Sequence, residues 1–407
     1  MMTLSSDTSK HNFYSFLWHA IFLAFAQNFM DVDTVIPAML IEAGGNGLHV
    51  GLMAAIMLGG ARFTQLLFAP FISNVPYKKR FLLIGINGRI FSLLCMGIML
   101  FFSYRLRGHI TIWLIFILIA TFSLGGAFAN VSYTDILGKS IKQSVRKSFL
   151  SIKQVVAGSV LLLSALLARL VLTIEDFPTN YAYMFFTGAL ALSTASLGLW
   201  RLKEQSPSRM SIKNIGHFRS LMKAEFHSNT RLIYFLGWVN TMGISITLLP
   251  FVMLYAKEIF NTQSHETGLF LFYKVMGSVG IGILLFTFSR RFKYRYLLYG
   301  NVLAVLTIPL IMLFSTGMPP FRILFMIGGI VFSIYVICMS GVLLEISGNE
   351  NRALYTGIAG AGNILPALFP LLSGWIIERF GFQSFFILFI IMILSSLFFI
   401  KKLNCRR

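Results

Sequence analysis

The sequence has few charged residues and very few acidic ones. Only 12% of its 407 residues are charged, and it has 14 Asp and Glu residues against 34 Lys and Arg residues. A soluble globular protein carries about 25% charged residues and could not keep this much apolar surface away from water. With 57% hydrophobic residues and a mean hydropathy of +0.78, the chain does not fit a soluble domain.

Residues that enzymes and metal sites need are also scarce. Cys95, Cys338 and Cys405 fall in two separate apolar runs and the C-terminal tail, so they predict neither a disulfide framework nor a metal site. The seven histidines show no zinc-binding spacing, and no complete phosphate-binding P-loop motif is present. These absences argue against an enzyme and against ATP-driven pumping, and the sequence implies no cofactor.

Long apolar runs are what the sequence has instead. A run of about 20 apolar residues spans a bilayer as a helix, whereas the strands of membrane β-barrels alternate in character and are less apolar. We count twelve runs, near residues 14–41, 49–72, 81–103, 110–134, 150–174, 181–200, 231–256, 268–288, 296–315, 322–345, 353–377 and 384–400. The sequence therefore predicts an all-α membrane protein with twelve transmembrane helices.

Basic residues are concentrated in alternate connections between these runs. Most of the 34 Lys and Arg residues lie in connections that share one side with both chain ends. Cytoplasmic loops of membrane proteins carry an excess of Lys and Arg. We therefore expect a multi-pass protein of the cytoplasmic (inner) membrane with both termini in the cytoplasm. The net charge of +20 then reflects orientation and contact with anionic membrane lipid, not nucleic-acid binding.

A short basic motif occurs twice, about half a chain length apart. Residues 80–85 read Arg-Phe-Leu-Leu-Ile-Gly, and residues 295–300 read Arg-Tyr-Leu-Leu-Tyr-Gly. Repeats of membrane-length segments are typical of transporters assembled from two similar halves. We predict an N-terminal six-helix bundle over 1–200, a central cytoplasmic loop over 201–230 and a C-terminal six-helix bundle over 231–407, with pseudo-twofold symmetry between the bundles.

Two cytoplasmic joints resemble those of the major facilitator superfamily. Residues 69–80 keep the basic end of the family's signature between spans 2 and 3, although Ser73 stands in place of its acid and Pro76 in place of its turn glycine. Residues 133–135 and 146–149 are similar to the family's joint between spans 4 and 5. The resemblance covers nearly the whole chain and implies the family's twelve-helix fold and transport by alternating access, in a chain that acts as a monomer. It does not fix the substrate.

Polar side chains interrupt the first apolar run. Gln27, Asn28 and Asp31 are spaced to share one face of a helix, whereas Asp33 lies about 200° from Asp31 on an ideal helix. Pro37 cannot donate a hydrogen bond to the carbonyl of Asp33, so a distorted turn is expected there. Since a charged side chain costs about 2.5–3.5 kcal/mol inside a membrane, we interpret these four polar residues as candidates for substrate or proton binding.

Cations inside the runs are the natural partners of these acids. Arg62 should lie at a depth similar to that of Asp31 and Asp33, and an Asp–Arg pair with Asp31 as the proton-sensitive group is the arrangement we favour. A purely structural ion pair is an equal alternative. Lys274 is a candidate for a cavity wall, and Arg89 is expected to direct its side chain toward the cytoplasm. The excess of cations favours an anionic or zwitterionic substrate, since guanidinium groups bind carboxylates in a bidentate manner.

Amide and phenol groups in the second half are weaker candidates. Asn240, Tyr335 and Asn363 lie within the seventh, tenth and eleventh runs and could donate hydrogen bonds to a substrate. Amides in membrane helices also hold helices together, which is the alternative for each of them.

The resemblance further implies a cytoplasmic gate built from ion pairs at equivalent joints of the two halves. Asp135 with Arg146 would form the pair of the first half, and Glu345 with Arg352 the pair of the second. An ordinary pattern of charges at helix ends is the competing interpretation.

The leading functional hypothesis is a secondary active transporter, coupled to protons, that moves a small organic solute. Two alternatives stay open at this stage. One is an exporter of amphipathic compounds or siderophores; the other is a transporter-like membrane receptor or assembly factor that moves nothing.

Overall fold

A computed structural model describes residues 5–60, 75–103, 108–205, 207, 225, 229–288, 293–315, 317–347, 355, 359–360 and 362–403. These residues form helices joined by short connections, with no β-strand among them. The α-helices are α1 (Ser6–Gln27), α2 (Val35–Glu42), α3 (Gly47–Ala54), α4 (Lys79–Phe101), α5 (Gly108–Ser140), α6 (Gln143–Ile174), α7 (Thr179–Arg201), α8 (Thr230–Met242), α9 (Leu248–Phe260), α10 (Ser264–Thr287), α11 (Tyr294–Phe314), α12 (Phe321–Ser347) and α13 (Leu365–Leu403). Short 3-10 helices occupy Asn28–Met30 and Gly243–Thr247, and a π-helix occupies Ala55–Gly60.

Nine helical segments of the described chain are long and apolar enough to cross a membrane. One of them, α13, covers the second half of the eleventh predicted span and the whole twelfth, and Gly381, with a φ of +80°, interrupts the helix between them. Only glycine adopts such a positive φ without a steric penalty. The first predicted span is divided into α1 and α2, and α3 and the π-helix cover the described part of the second. The prediction of an all-α membrane protein is confirmed, and these helices are consistent with twelve spans.

By their contacts, the residues group into two compact units. The first unit comprises residues 1–31, 42–44 and 60–217, and the second comprises residues 32–41, 45–59 and 218–407. Parts of the first two apolar runs therefore group with the C-terminal half of the chain. The division at a central loop over 201–230, with one bundle on either side, stays a prediction.

In the first unit, glycines bring α4 and α5 into close contact. A Cβ atom added to Gly85 would lie 2.7 Å from the backbone nitrogen of Ala129, and one added to Gly125 would lie 2.7 Å from the carbonyl oxygen of Gly85. Small residues at such seams let membrane helices approach each other at backbone distance. The seam places the next turn of α4, which carries Arg89, directly against α5.

In the second unit, α10 and α12 pack in a similar way. A Cβ atom added to Gly329 would lie 3.0 Å from the backbone nitrogen of Ser278, and the hydroxyls of Ser278 and Ser333 are 2.6 Å apart. This contact fixes the middle of α10, where Lys274 lies one turn before Ser278. Aromatic rings fill much of the remaining core, for example Phe251 against Phe385 at a centroid distance of 5.0 Å.

The first and seventh predicted spans are interrupted at equivalent places. The 3-10 helix Asn28–Met30 and four non-α-helical residues precede α2, whose third residue is Pro37. The 3-10 helix Gly243–Thr247 precedes α9, whose third residue is Pro250. Proline is tolerated in a first helical turn because the N–H groups there have no intrahelical partner. The distortion expected from Pro37 is present, and its counterpart in the second half supports the sequence duplication.

Candidate functional site

The candidates of the first span are divided by the break that follows α1. The Nδ2 group of Asn28 donates to the carbonyl oxygen of Leu161 and to the hydroxyl of Ser164, both at 2.7 Å, so this buried amide holds α6. Gln27, at the last position of α1, lines a cavity in the first unit. Asp31 follows the 3-10 helix in extended backbone conformation and belongs to the first unit.

Asp33 forms an ion pair with Lys274 in the second unit. The carboxylate Oδ2 and the ammonium Nζ are 2.5 Å apart, and the two side chains are only 13% and 11% exposed. The non-helical backbone around Asp33 and the α10–α12 seam on the other side position the two groups. The sequence analysis named both residues but did not predict that they would pair. Its preferred partner for the acids, Arg62, lies outside the described residues.

The net free energy of a buried ion pair is the difference between a large desolvation cost and a large electrostatic attraction. Removing two charges from water costs several kcal/mol per ion, and their mutual attraction offsets this only while both partners stay in place. Protonating the aspartate, or drawing the lysine away, removes this attraction. The pair can therefore respond to protonation and to an approaching anion.

The side-chain amide of Asn240 forms four hydrogen bonds, all of them with backbone groups. Its Nδ2 group donates to the carbonyl oxygens of Leu236 and Gly362 at 2.9 and 2.6 Å, and its Oδ1 atom accepts from the N–H groups of Ile364 and Leu365 at 3.0 and 2.9 Å. The amide thus joins α8 to the start of α13 and satisfies two of its unpaired N–H groups. This geometry favours the alternative in which Asn240 holds helices together.

Tyr335 and Asn363 lie close to Gly243, at the interruption between α8 and α9. A Cβ atom added to Gly243 would lie 2.9 Å from the Tyr335 hydroxyl and 3.3 Å from Asn363 Oδ1. The Tyr335 ring is buried against Trp238, with centroids 5.5 Å apart. Among the described residues, neither amide atom of Asn363 nor the indole nitrogen of Trp238 has a hydrogen-bond partner. Buried donors in this state are unusual and leave bonding capacity for a ligand or water.

A cavity of about 250 Å³ lies within the first unit and contains cations. Its lining includes Arg89 and Lys153 together with polar groups of two further helices, and none of the acidic residues that the structure describes belongs to it. The lining residues are His19, Ala20, Leu23, Ala24, Gln27, Leu82, Ile86, Arg89, Gly126, Ala129, Asn130, Tyr133, Lys153 and Ala157. Since each cation costs about 2.5–3.5 kcal/mol at membrane depth, this accumulation of positive charge requires an explanation.

Arg89 does not direct its side chain toward the cytoplasm, so that expectation is wrong. A Cβ atom added to Gly125 would touch its Cγ atom at 3.0 Å, and one added to Gly126 would lie 3.9 Å from its Nε atom. The guanidinium carbon lies 4.2 Å from the centre of the Phe122 ring, further along α5 from its predicted cytoplasmic end at Ser140. The absence of side chains at the two glycines opens this path, and the ring face attracts the cation.

Lys153 and His19 meet the same tyrosine in this cavity. The Lys153 ammonium lies 5.5 Å from the centre of the Tyr133 ring, and the His19 and Tyr133 rings are 5.7 Å apart. His19 Nδ1 lies 3.2 Å from the carbonyl oxygen of Ala195, which orients the buried imidazole. This cluster could not be predicted from the sequence, because Lys153 lies near a basic joint and His19 in an ordinary apolar run.

The predicted gate residue Asp135 takes part in a charge network in the first unit. Its carboxylate pairs with Lys78 at 3.1 Å and with Lys139 at 3.0 Å, and Lys139 also pairs with Glu204 at 2.7 Å. Arg146, its expected partner, donates to the carbonyl oxygens of Gly138 and Ile141 at 2.5 and 3.1 Å.

Glu345, the predicted gate residue of the second unit, pairs with Arg231 at 2.7 Å. The Nε group of Arg231 also donates to the carbonyl oxygen of Leu403, so this joint ties α8, α12 and α13 together. The expected partner Arg352 lies outside the described residues. Over the residues the structure describes, no group of three His, Cys, Asp or Glu residues could hold a metal ion.

The comparisons with known proteins agree with this architecture. The sequence model of the Major Facilitator Superfamily matches residues 17–315 and 233–403. A protein named as a transporter, AmpG 1 of Rickettsia prowazekii (strain Madrid E), is 23% identical over 295 residues, which cover 66% of this chain and 64% of that protein's length. The chain thus spans less than two thirds of this relative.

Solved structures of transporters have the same fold. A D-xylose-proton symporter superposes with a TM-score of 0.66 at 16% identity, covering 95% of this chain and 96% of the symporter. The nucleoside transporter NupG superposes with a TM-score of 0.64 at 14% identity, covering 96% of this chain and 98% of NupG. The matched proteins are transporters, not enzymes. On the match to its sequence model across nearly the whole chain, the protein belongs to the Major Facilitator Superfamily.

Proposed function

We propose that this protein is a proton-coupled secondary active transporter that moves a small organic anion or zwitterion by alternating access. It acts as a monomer in the cytoplasmic membrane, with both termini in the cytoplasm. Family membership supports the transport class. The Asp33–Lys274 ion pair is the observation that carries the proposal of proton coupling.

The pair couples a proton to a substrate through charge balance. When Asp33 is ionised, its negative charge balances the positive charge of Lys274, so the ammonium attracts a further anion only weakly. Protonation of Asp33 removes that counter-charge, and a substrate carboxylate can then take its place beside the ammonium. Release of the substrate restores the ion pair once the proton leaves. We assign proton sensitivity to Asp33, where the sequence alone favoured Asp31, because the Asp33 carboxylate pairs with Lys274.

The gate residues stay part of this proposal. Asp135, Arg146, Glu345 and Arg352 belong to the predicted cytoplasmic joints, and the networks around Asp135 and Glu345 support a role in holding helix ends together. Tyr335 and Asn363 are proposed hydrogen-bonding groups for the substrate in the second unit.

Transport by purified protein in proteoliposomes tests the coupling. Organic anions and neutral solutes are first screened for accumulation driven by an imposed pH gradient. We expect Asp33→Asn to lose accumulation but to keep exchange of labelled substrate across the membrane, because the amide mimics the protonated acid. The exposed Asp176→Asn is the matched control and should transport like the natural protein.

Two results would contradict the proposal. Full accumulation by a well-folded Asp33→Asn protein would return the ion pair to a structural role. Specific binding of solutes without any flux would favour the receptor alternative.

A further inference from the structure

We propose that Arg89 and Lys153 form a binding site for the oxyanion, carboxylate or phosphate, of a small polar solute, inside the first unit. The inference rests on the proposed function in that the bound solute is the transported anion, whose oxyanion would occupy this site and the place beside Lys274 at different stages of transport. Neither residue belonged to the site expected from the sequence.

The two cations lie at the same predicted depth, on two helices that line one cavity. Arg89 is the eleventh residue of α4 and Lys153 the eleventh of α6, so each lies about 15 Å from the predicted cytoplasmic end of its helix at 1.5 Å per residue. Both line the one cavity of about 250 Å³. Two positive charges at one depth, facing one space, create a potential that favours an anion there.

Their contacts leave the positive charge uncompensated. No salt bridge to Arg89 or Lys153 occurs among the described residues, and the Arg89 Nε group is buried without a hydrogen-bond partner. Each cation lies near an aromatic ring instead, Phe122 for Arg89 and Tyr133 for Lys153. A ring face attracts a cation without occupying its N–H donors, so those donors remain for oxygen atoms of a ligand.

The neutral part of the lining indicates what accompanies the oxyanion. Gln27, Asn130 and Tyr133 add amide and phenol groups to the cavity wall. Amide and hydroxyl groups pair with hydroxyls or amides of a ligand. The site therefore fits a polar organic anion with such groups beside its carboxylate or phosphate. A neutral sugar would leave both cations uncompensated.

Binding to the purified full chain tests the site without any proton gradient. The probes are succinate, inorganic phosphate and glucose at equal ionic strength, measured by calorimetry and by thermal unfolding. We expect succinate or phosphate to bind and to raise the unfolding temperature, and glucose to do neither. The stronger of the two oxyanions identifies the ligand's charged group.

Substitution then assigns the binding to the two cations. Losing one hydrogen bond to a charged group should weaken oxyanion binding by about ten- to a hundredfold in Arg89→Gln and in Lys153→Gln. Arg169→Gln removes an exposed cation from the same helix as Lys153 and should change nothing. Failure of both oxyanions to bind the natural protein, or unchanged binding in the two variants, would overturn the proposal.

Stability without ligand provides an independent measurement. A buried cation whose role is to bind an anion destabilises the protein while no anion is bound. Arg89→Met should therefore raise the unfolding temperature of the ligand-free protein. If Arg89 is instead a structural element, the same variant unfolds at a lower temperature and the proposal fails. Because neither measurement involves proton flux, their outcome is separate from that of the Asp33 experiment. The oxyanion-binding proposal can be wrong while the Asp33 proton-coupling proposal is right, and the reverse can also occur.

Discussion

The carboxylate of Glu204 is the group whose removal should most disturb the start of α4. Three consecutive cations, Lys78, Lys79 and Arg80, occupy this helix N-terminus, where positive charge opposes the helix dipole. Glu204 accepts hydrogen bonds from the N–H groups of Lys78 and Lys79, both at 2.8 Å. It also pairs with Lys139 at 2.7 Å and is only 4% exposed.

The magnitude follows from these contacts. Loss of a helix cap costs about 0.5–2 kcal/mol, and a hydrogen bond to a charged group contributes about 1.5–3 kcal/mol. Allowing for partial replacement by water, Glu204→Ala should lower the free energy of unfolding by about 2–4 kcal/mol. Glu204→Gln keeps one acceptor oxygen but loses the charge, and should lower it by roughly half as much.

Reversible unfolding of the purified protein in mixed detergent micelles measures these changes. The exposed Glu175→Ala is the control, and we expect it to unfold like the natural protein. Combining Glu204→Gln with Lys139→Met should cost less than the sum of the two single changes, because both remove one ion pair. Additive effects, or a Glu204→Ala protein as stable as the control, would refute the assignment of this network.

Two further predictions concern packing and topology. Gly85→Ala should destabilise the first unit by about 1–3 kcal/mol, since its added methyl meets the backbone of α5, whereas Gly88→Ala, with no atom within 4 Å of the added methyl, should be neutral or stabilising in the same unfolding assay. In a cysteine-free background, a cysteine in place of Gln263 should react with a membrane-impermeant maleimide in intact cells, and one in place of Arg201 only after the membrane is opened. The reverse labelling pattern would overturn the predicted orientation.

The sequence was sufficient for the class of fold, because twelve membrane-length apolar runs and a half-chain repeat are visible in one dimension. It also predicted the distortion near Pro37, since the missing N–H group is a local property. The equivalent break before Pro250 was not anticipated. That break depends on a 3-10 helix, and no residue pattern in the apolar run predicts one.

The partners of charged groups could not be predicted in this way. Asp33 pairs with a lysine 241 positions away, and that contact depends on how α10 packs against α12. The orientation of Arg89 depended on two glycines of another helix, which look like ordinary small membrane residues in the sequence. Long-range pairing is a property of packing, and a single sequence records packing only weakly.

The grouping of residues 32–41 and 45–59 with the C-terminal unit affects how the gene can be divided. In that unit, Gly51 lies so close to Pro370 that a side chain would meet its backbone, and the Gly47 N–H group donates to Glu378 at 2.7 Å. A fragment ending in the central loop would carry these segments away from α13 and leave their small-residue faces bare. Two half-length fragments are therefore not two self-sufficient proteins, and each would need the other during synthesis to cover surfaces that the intact chain covers by itself.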